Sequence, residues 1–231
     1  MNFGELKTEI QDTFTRTDSA VTGKIGTWVN RRQKQAAARH NFGFLRRDIT
    51  TPIADGQSAF NMGGDFKDDV TFFLEKSDSW IELPVRPRLE MIRRYAPDDK
   101  GEPQFMSFET WTNTAGSLLL KVYLWPPLSD AAYTIRTVYY QWPTDFIGDS
   151  DTSWISVHFP QVLIVGGTAE GYWFLGAEEQ ARVWEGRWEY ELQKAIEHDT
   201  KRDLPAEFVL APRLGVGQTS IRVTDRQLWR I

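Results

Sequence analysis

Three closely spaced carboxylates, Asp65, Asp68 and Asp69, are the first residues in this chain whose type and spacing suit chemistry. Such a cluster can hold Mg²⁺ or Ca²⁺, but this one lacks the ligand spacing and closing glutamate of a calcium loop. It fits better as an acidic turn before a strand. Asp145, Asp149 and Asp151 surround Gly148 and suit a loop with helix-capping chemistry. The histidines, His40, His158 and His198, have no short spacing between any two, which argues against a His-built zinc or iron centre. The chain has no cysteine, so thiolate ligands, cysteine nucleophiles and disulfides are excluded. Gly63-Gly64 and Gly166-Gly167 lack the Lys-Ser/Thr pair or the spaced third glycine of a phosphate cradle. No Gly-x-Ser-x-Gly elbow occurs. These residues predict no catalytic site, no metal and no cofactor.

Two binding chemistries stay open. Trp111, Trp125 and Trp142 lie in a strand-rich region and either stack on a sugar or fill a core, and core is the commoner fate of large aromatics. A carboxylate pair for glycoside cleavage is defined by separation in space, which the sequence does not give. Lys24, Arg31, Arg32, Lys34 and Arg39 form a basic helix face that suits either the acidic surface of a neighbouring copy or DNA phosphates. No helix-turn-helix, zinc-finger or RNP signature accompanies them.

The elements that must carry these residues follow from patterning. The chain has 231 residues and a net charge of −5, with 41% hydrophobic residues and ten tryptophans, which excludes a disordered polymer. Charge is segregated. Arg16 to Arg47 carries eight Lys/Arg against one Asp, whereas Asp48 to Thr200 carries 12 Lys/Arg against 25 Asp/Glu. Either two surfaces meet different partners or several charged faces are simply solvated. No apolar run approaches the ~20 residues needed to cross a bilayer, so no membrane partner is expected. The first residues lack a signal-peptide layout, which predicts a protein that folds where it is made.

Phe3, Leu6, Ile10 and Phe14 mark one face of a first helix, and Val21, Ile25, Trp28, Val29 and Ala36 a second from about Ala20 to Arg39. Short runs at Val70–Leu74 and Trp80–Leu83 read as strands. Ser117–Trp125 and Ala131–Trp142 alternate strictly around a Pro126-Pro127 turn, predicting an antiparallel hairpin. The polar stretch Ala96–Pro103 predicts an exposed, mobile loop. Phe159-Pro160 opens a third helix ending at Gly176, and a fourth runs from about Ala177 to Arg202. Residues 204–231 lose all helical period yet end on Leu228, Trp229, Arg230 and Ile231, which predicts an anchored, extended arm. The fold class is thus α+β: a helical bundle from N- and C-terminal helix pairs, an inserted antiparallel β domain, and an extended C-terminal arm. The expected divisions are 1–42, 43–149, 150–203 and 204–231. Phe3, Leu6, Ile10, Trp28, Val29, Val162, Leu163, Trp184, Trp188 and Leu192 form the expected bundle core.

Certain motifs carry a family likeness. These are Leu6-x3-Ile10, then Ile25-x2-Trp28-Val29-Asn30-Arg31-Arg32-Gln33, then Ala36-Ala37-Ala38-Arg39-His40-Asn41-Phe42-x-Phe44-Leu45. The stretch resembles the N-terminal region of tailed-phage head–tail adaptor proteins. His158-Phe159-Pro160-Gln161-Val162-Leu163-Ile164, Ala169-Glu170 and the run Glu178 to Glu191 are similar to their C-terminal helix pair. The resemblance covers about 1–48 and 150–200; the β insertion and the tail match in type only. It implies a non-enzymatic virion component, made in the host cytoplasm and placed in the neck between capsid and tail. There it would form a ring with other copies of itself, commonly twelve. That ring would join the portal protein to tail or neck proteins and continue the channel through which genomic dsDNA passes without specific binding. It further implies a portal-binding arm, onto which Phe208, Arg213, Leu214, Arg222, Arg226, Leu228, Trp229, Arg230 and Ile231 would map.

Overall fold

The computed structural model of the chain describes residues 1–14, 19–76, 79–112 and 118–203. The N-terminal pair is α1 (Phe3–Phe14) and α2 (Ser19–Arg39). Phe3, Leu6, Ile10 and Phe14 step by three and four residues, so one face of α1 is apolar and buried. Trp28, Val29, Ala36 and Ala37 do the same for α2. The C-terminal pair is α5 (Pro160–Phe174) and α6 (Glu178–Asp203), preceded by a short helix α4 (Trp154–His158). Ser153 opens α4 with a capping box: its hydroxyl accepts from the Ser156 N–H, and its own N–H donates to the Ser156 hydroxyl. Pro160 occupies the first turn of α5, and Gly176, at φ +71°, ends it.

Helix α5 is the axis of the bundle. Eight consecutive residues from Val162 to Ala169 are buried, which is possible only for a helix covered nearly all round. Its glycines let neighbours close in. A Cβ on Gly167 would lie 2.6 Å from Ile10 Cδ1, one on Gly166 2.8 Å from Trp188 Cδ1, and one on Gly171 inside the Phe14 ring. Phe42, Leu45, Phe146 and Ile155 join the same apolar cluster from the connecting segments.

Between the pairs, among the described residues, stand seven strands in two sheets. They are β1 (Arg46–Ile53), β2 (Ala59–Met62), β3 (Phe66–Lys76), β4 (Ser79–Leu83), β5 (Phe105–Thr112), β6 (Leu118–Trp125) and β7 (Tyr133–Gln141), with helix α3 (Arg88–Arg94) between β4 and β5. One sheet has the order β1-β7-β3-β4 and the other β2-β6-β5, all neighbours antiparallel. Side chains from both meet in a second apolar cluster around Phe72, Leu74, Met106, Val122 and Ile135.

The α+β class, with helix pairs flanking an antiparallel insertion, matches the expectation from sequence. The hairpin does not. Strands β6 and β7 follow one another in sequence but belong to different sheets. The segment between them crosses over and is held there: the Ser129 hydroxyl donates to Ala54 O at 2.6 Å, and Gly56 N–H donates to Ser129 O at 2.9 Å. Both strands alternate because both face the same apolar layer, from opposite sides. The stretch Ala96–Pro103 is largely exposed but fastened. Gly101 N–H donates to Leu128 O at 3.0 Å, and Leu128 N–H donates to Asp99 O at 3.1 Å. Helices α3 and α4 had no counterpart in the sequence reading.

Candidate functional site

The basic face of α2 is largely spent inside the chain. Arg32 is only 3% exposed. Its two terminal nitrogens grip both oxygens of Glu185 at 2.8 and 2.7 Å, its Nε lies 3.1 Å from Glu170 Oε1, and its guanidinium stacks 4.6 Å from the Trp188 ring. A fork matched to a carboxylate in a buried setting is the stronger kind of ion pair. Arg31 reaches Glu170 at 2.7 Å, Arg39 holds Glu189 through two bonds of 3.0 and 2.9 Å, and Lys34 meets Asp145 at 2.8 Å. Lys24 is exposed and, among the described residues, carries no ion pair. Of this face, Arg32 is buried in a seam joining α2 to α5 and α6, while the side chains of Arg31, Lys34 and Arg39 stay about half exposed beside their carboxylates. Arg32 points into the bundle.

The acidic residues are likewise distributed. Asp65 accepts from Arg47 and from the Tyr139 hydroxyl at 3.1 Å, while burial pushes that hydroxyl's pKa up, with the Asp65 charge adding to the effect. Asp68 accepts the Asp69 N–H, and Asp69, at φ +46°, accepts from Asn41 Nδ2 at 2.9 Å. The three carboxylates thus serve different partners. Among the described residues no group of three or more His, Asp or Glu converges to hold a metal. Asp149 pairs with Lys7 at 2.5 Å, and Asp151 accepts the N–H groups of Ile147 and Gly148 at 2.8 Å each. Those two bonds hold the Asp151 carboxyl below its ordinary range.

A joint between bundle and sheet, unmarked in the sequence, forms at residues 40–43. Buried Asp199 accepts the Gly43 N–H at 3.0 Å and lies 2.9 Å from His40 Nε2. From the sheet side Lys67 donates to His40 O at 3.1 Å and to the Asn41 side chain, and burial lowers its pKa. No spacing signal links His40 to Asp199, since 159 residues separate them. His158 and His198 lie nearby, 4.9 and 6.3 Å from the Trp154 ring.

The expected core residues Phe3, Leu6, Ile10, Trp28, Val29, Val162, Leu163, Trp188 and Leu192 are buried. Trp184 is only partly covered: it stacks on Tyr172 at 6.3 Å, with Arg187 4.7 Å from its ring. Trp125 is buried and donates to the Ser107 hydroxyl at 2.7 Å, so it offers no face to a sugar. Trp142 is exposed, with Lys67 Nζ 5.9 Å away. The side chain of Trp111 and the arm residues Phe208, Arg213, Leu214, Arg222, Arg226, Leu228, Trp229, Arg230 and Ile231 lie outside the described residues. A basic segment with exposed apolar side chains lies at α3, which carries Arg88, Arg93 and Arg94 beside exposed Leu89 and Ile92, with Arg86 just before it. Its signal was local: four arginines in nine residues, inside an acidic stretch.

Against known proteins, the family model described as SU10 adaptor protein matches residues 1–210. No curated protein matches the chain.

Proposed function

The chain belongs to the SU10 adaptor protein family of phage head–tail adaptors, and from that premise we infer that it builds a neck ring between portal and tail. In this reading identical copies join head to tail, the ring seats on the portal protein, tail or neck proteins attach on its far side, and the channel for genomic dsDNA continues through it. The observation that carries the reading is that the family match runs through both helix pairs and the β insertion. The in-chain ion pairs support it too, because they stiffen each subunit without a ligand. The bundle of 1–42 with 150–203 acts as one unit and 43–149 as a second. The segment 204–231 acts as the portal-binding arm.

The test is the mass of the purified protein, alone and mixed with its portal, by light scattering or native mass spectrometry. A closed ring, or a monomer that adds to the portal in fixed stoichiometry near twelve, is expected. A monomer that ignores the portal overturns the reading. Truncation after Leu204 should abolish portal binding while leaving thermal unfolding of the remainder unchanged.

A further inference from the structure

The four-stranded sheet has two open edges, β4 on one side and β1 on the other. The Arg46 N–H closes on Gly43 O; otherwise, among the described residues, no hydrogen bond from outside the sheet reaches the backbone of either edge strand. Unpaired edges are usually blunted by lysine, proline or a covering element. Strand β1 is blunted at one end by Pro52. Strand β4 has no proline or lysine; its one charge is Glu82, and it spans only Ser79–Leu83. Its residues Ser79 to Glu82 are all exposed, with Trp80 and Ile81 each 42% open.

The side-chain rows show what would fit there. Ile81 stands opposite Leu74, which stands opposite Ile135, which stands opposite Thr51. Leu74 and Ile135 are buried, so this row faces the apolar layer. The layer runs off the sheet at Ile81. At the other edge, Ile49 and Ile53 point to the same face, since their partners Thr137 and Tyr133 share the parity of Ile135. On the reverse face, the row of Glu82 runs through Phe73 and Arg136 to Thr50 at the other edge, where Arg46 and Asp48 share that face.

Direction fits as well. With four strands, every neighbour antiparallel, β4 runs opposite to β1. A second copy in the same orientation can lay its β1 against β4, keep the antiparallel alternation and keep both apolar faces on one side. Such a contact uses two different surfaces and repeats head to tail. We propose that a second copy of this chain adds its β1 edge to β4, so that one sheet continues from subunit to subunit, with Ile49 of the incoming strand covering Ile81. In this register Trp80 stands opposite the incoming Thr50 and Glu82 opposite the incoming Asp48, which is held by Arg136 of its own chain, with the incoming Arg46 on the diagonal. The proposal rests on the ring reading above and assigns the contact that would propagate it.

The cysteine-free chain allows a direct test. Thr50→Cys and Trp80→Cys single variants are mixed and treated with a short bismaleimide, after circular dichroism has shown that both are folded. Each variant carries a single cysteine, so any crosslink joins two copies. The expected product is a mixed covalent dimer carrying one of each variant, lost when Ile81→Lys is added to the Trp80→Cys chain. A Gln193→Cys partner on the exposed side of α6 should give none. Absence of the mixed dimer at the highest soluble concentration overturns the proposal, as does a product made only of like variants. A closed ring by mass without the crosslink sinks this contact and leaves the ring reading standing. The crosslink with open-ended chains by mass does the reverse.

Discussion

Arg32 and Arg39 lie two turns apart on α2 and approach the same indole, Trp188, at 4.6 and 5.5 Å. Both grip a glutamate of α6 through two bonds, but their surroundings differ. Arg32 is buried, while the Arg39–Glu189 side chains are about half exposed. Removing a partner from a buried pair strands a charge and costs about 3–5 kcal/mol, whereas an exposed pair contributes at most about 1 kcal/mol. Arg32→Ala should therefore lose several times the unfolding free energy of Arg39→Ala in urea titration. Asp151 gives a pH signature. Its folded-state pKa is depressed below 3.8 by two backbone N–H groups, so its stabilisation is present above the ordinary carboxylate range and is lost as pH falls through the lower folded value. The melting-temperature gap between the wild type and Asp151→Asn should be full near neutrality and should close in acid. A constant gap would remove the charge argument. The basic residues themselves were legible from the sequence, but their carboxylate partners were not. Glu170, Glu185 and Glu189 lie more than a hundred residues away, and only the packing of α2 on α5 and α6 selects them.

The helices were legible as elements because a 3.6-residue period shows in one segment alone. The sheet was only half legible, for a reason that β6 and β7 make plain. Alternation tells which side of a strand is buried; it does not tell which strand lies beside it. Two alternating runs joined by a Pro-Pro turn read as a hairpin, and the hydrogen bonds of Ser129 and Gly56, which send them to different sheets, involve residues with no pattern of their own. The glycines of α5 and α6 look alike in sequence and differ in space. A methyl on Gly171 enters the Phe14 ring, while one on Gly186 meets nothing within 4 Å. Gly171→Ala should destabilise by about 1–3 kcal/mol through overpacking. Gly186→Ala should stabilise by about 0.5–1 kcal/mol, because it restricts the unfolded chain and favours helix. Chemical denaturation of the two variants checks both signs, and equal shifts would mean that α5 is not the packed axis.

At the scale of the whole molecule, the chain enters the sheets at Arg46 and leaves at Gln141, and Arg46 is paired with Tyr140. Directly opposed residues of an antiparallel pair have Cα atoms about 4.5–5.5 Å apart, so the insertion begins and ends at one point. Replacing residues 46–141 by a short Gly-rich turn should leave a helical protein with one cooperative transition, read by circular dichroism. Loss of helicity would show that the bundle depends on the sheets.

The same connectivity sets an order of events as the chain is made. Among the described residues every strand pairing in the sheets lies between residues 46 and 141, so those pairings can form once that segment has emerged. Helices α1 and α2 are made first, yet their main partner, α5, begins only at Pro160. At about 5–20 residues per second, the 120-odd residues between Arg39 and Pro160 take roughly 6–24 s. Through that interval Leu6, Ile10, Phe14 and Trp28 have no helix axis to cover them. The apolar faces of α1 and α2 are thus made well before the helix that buries them.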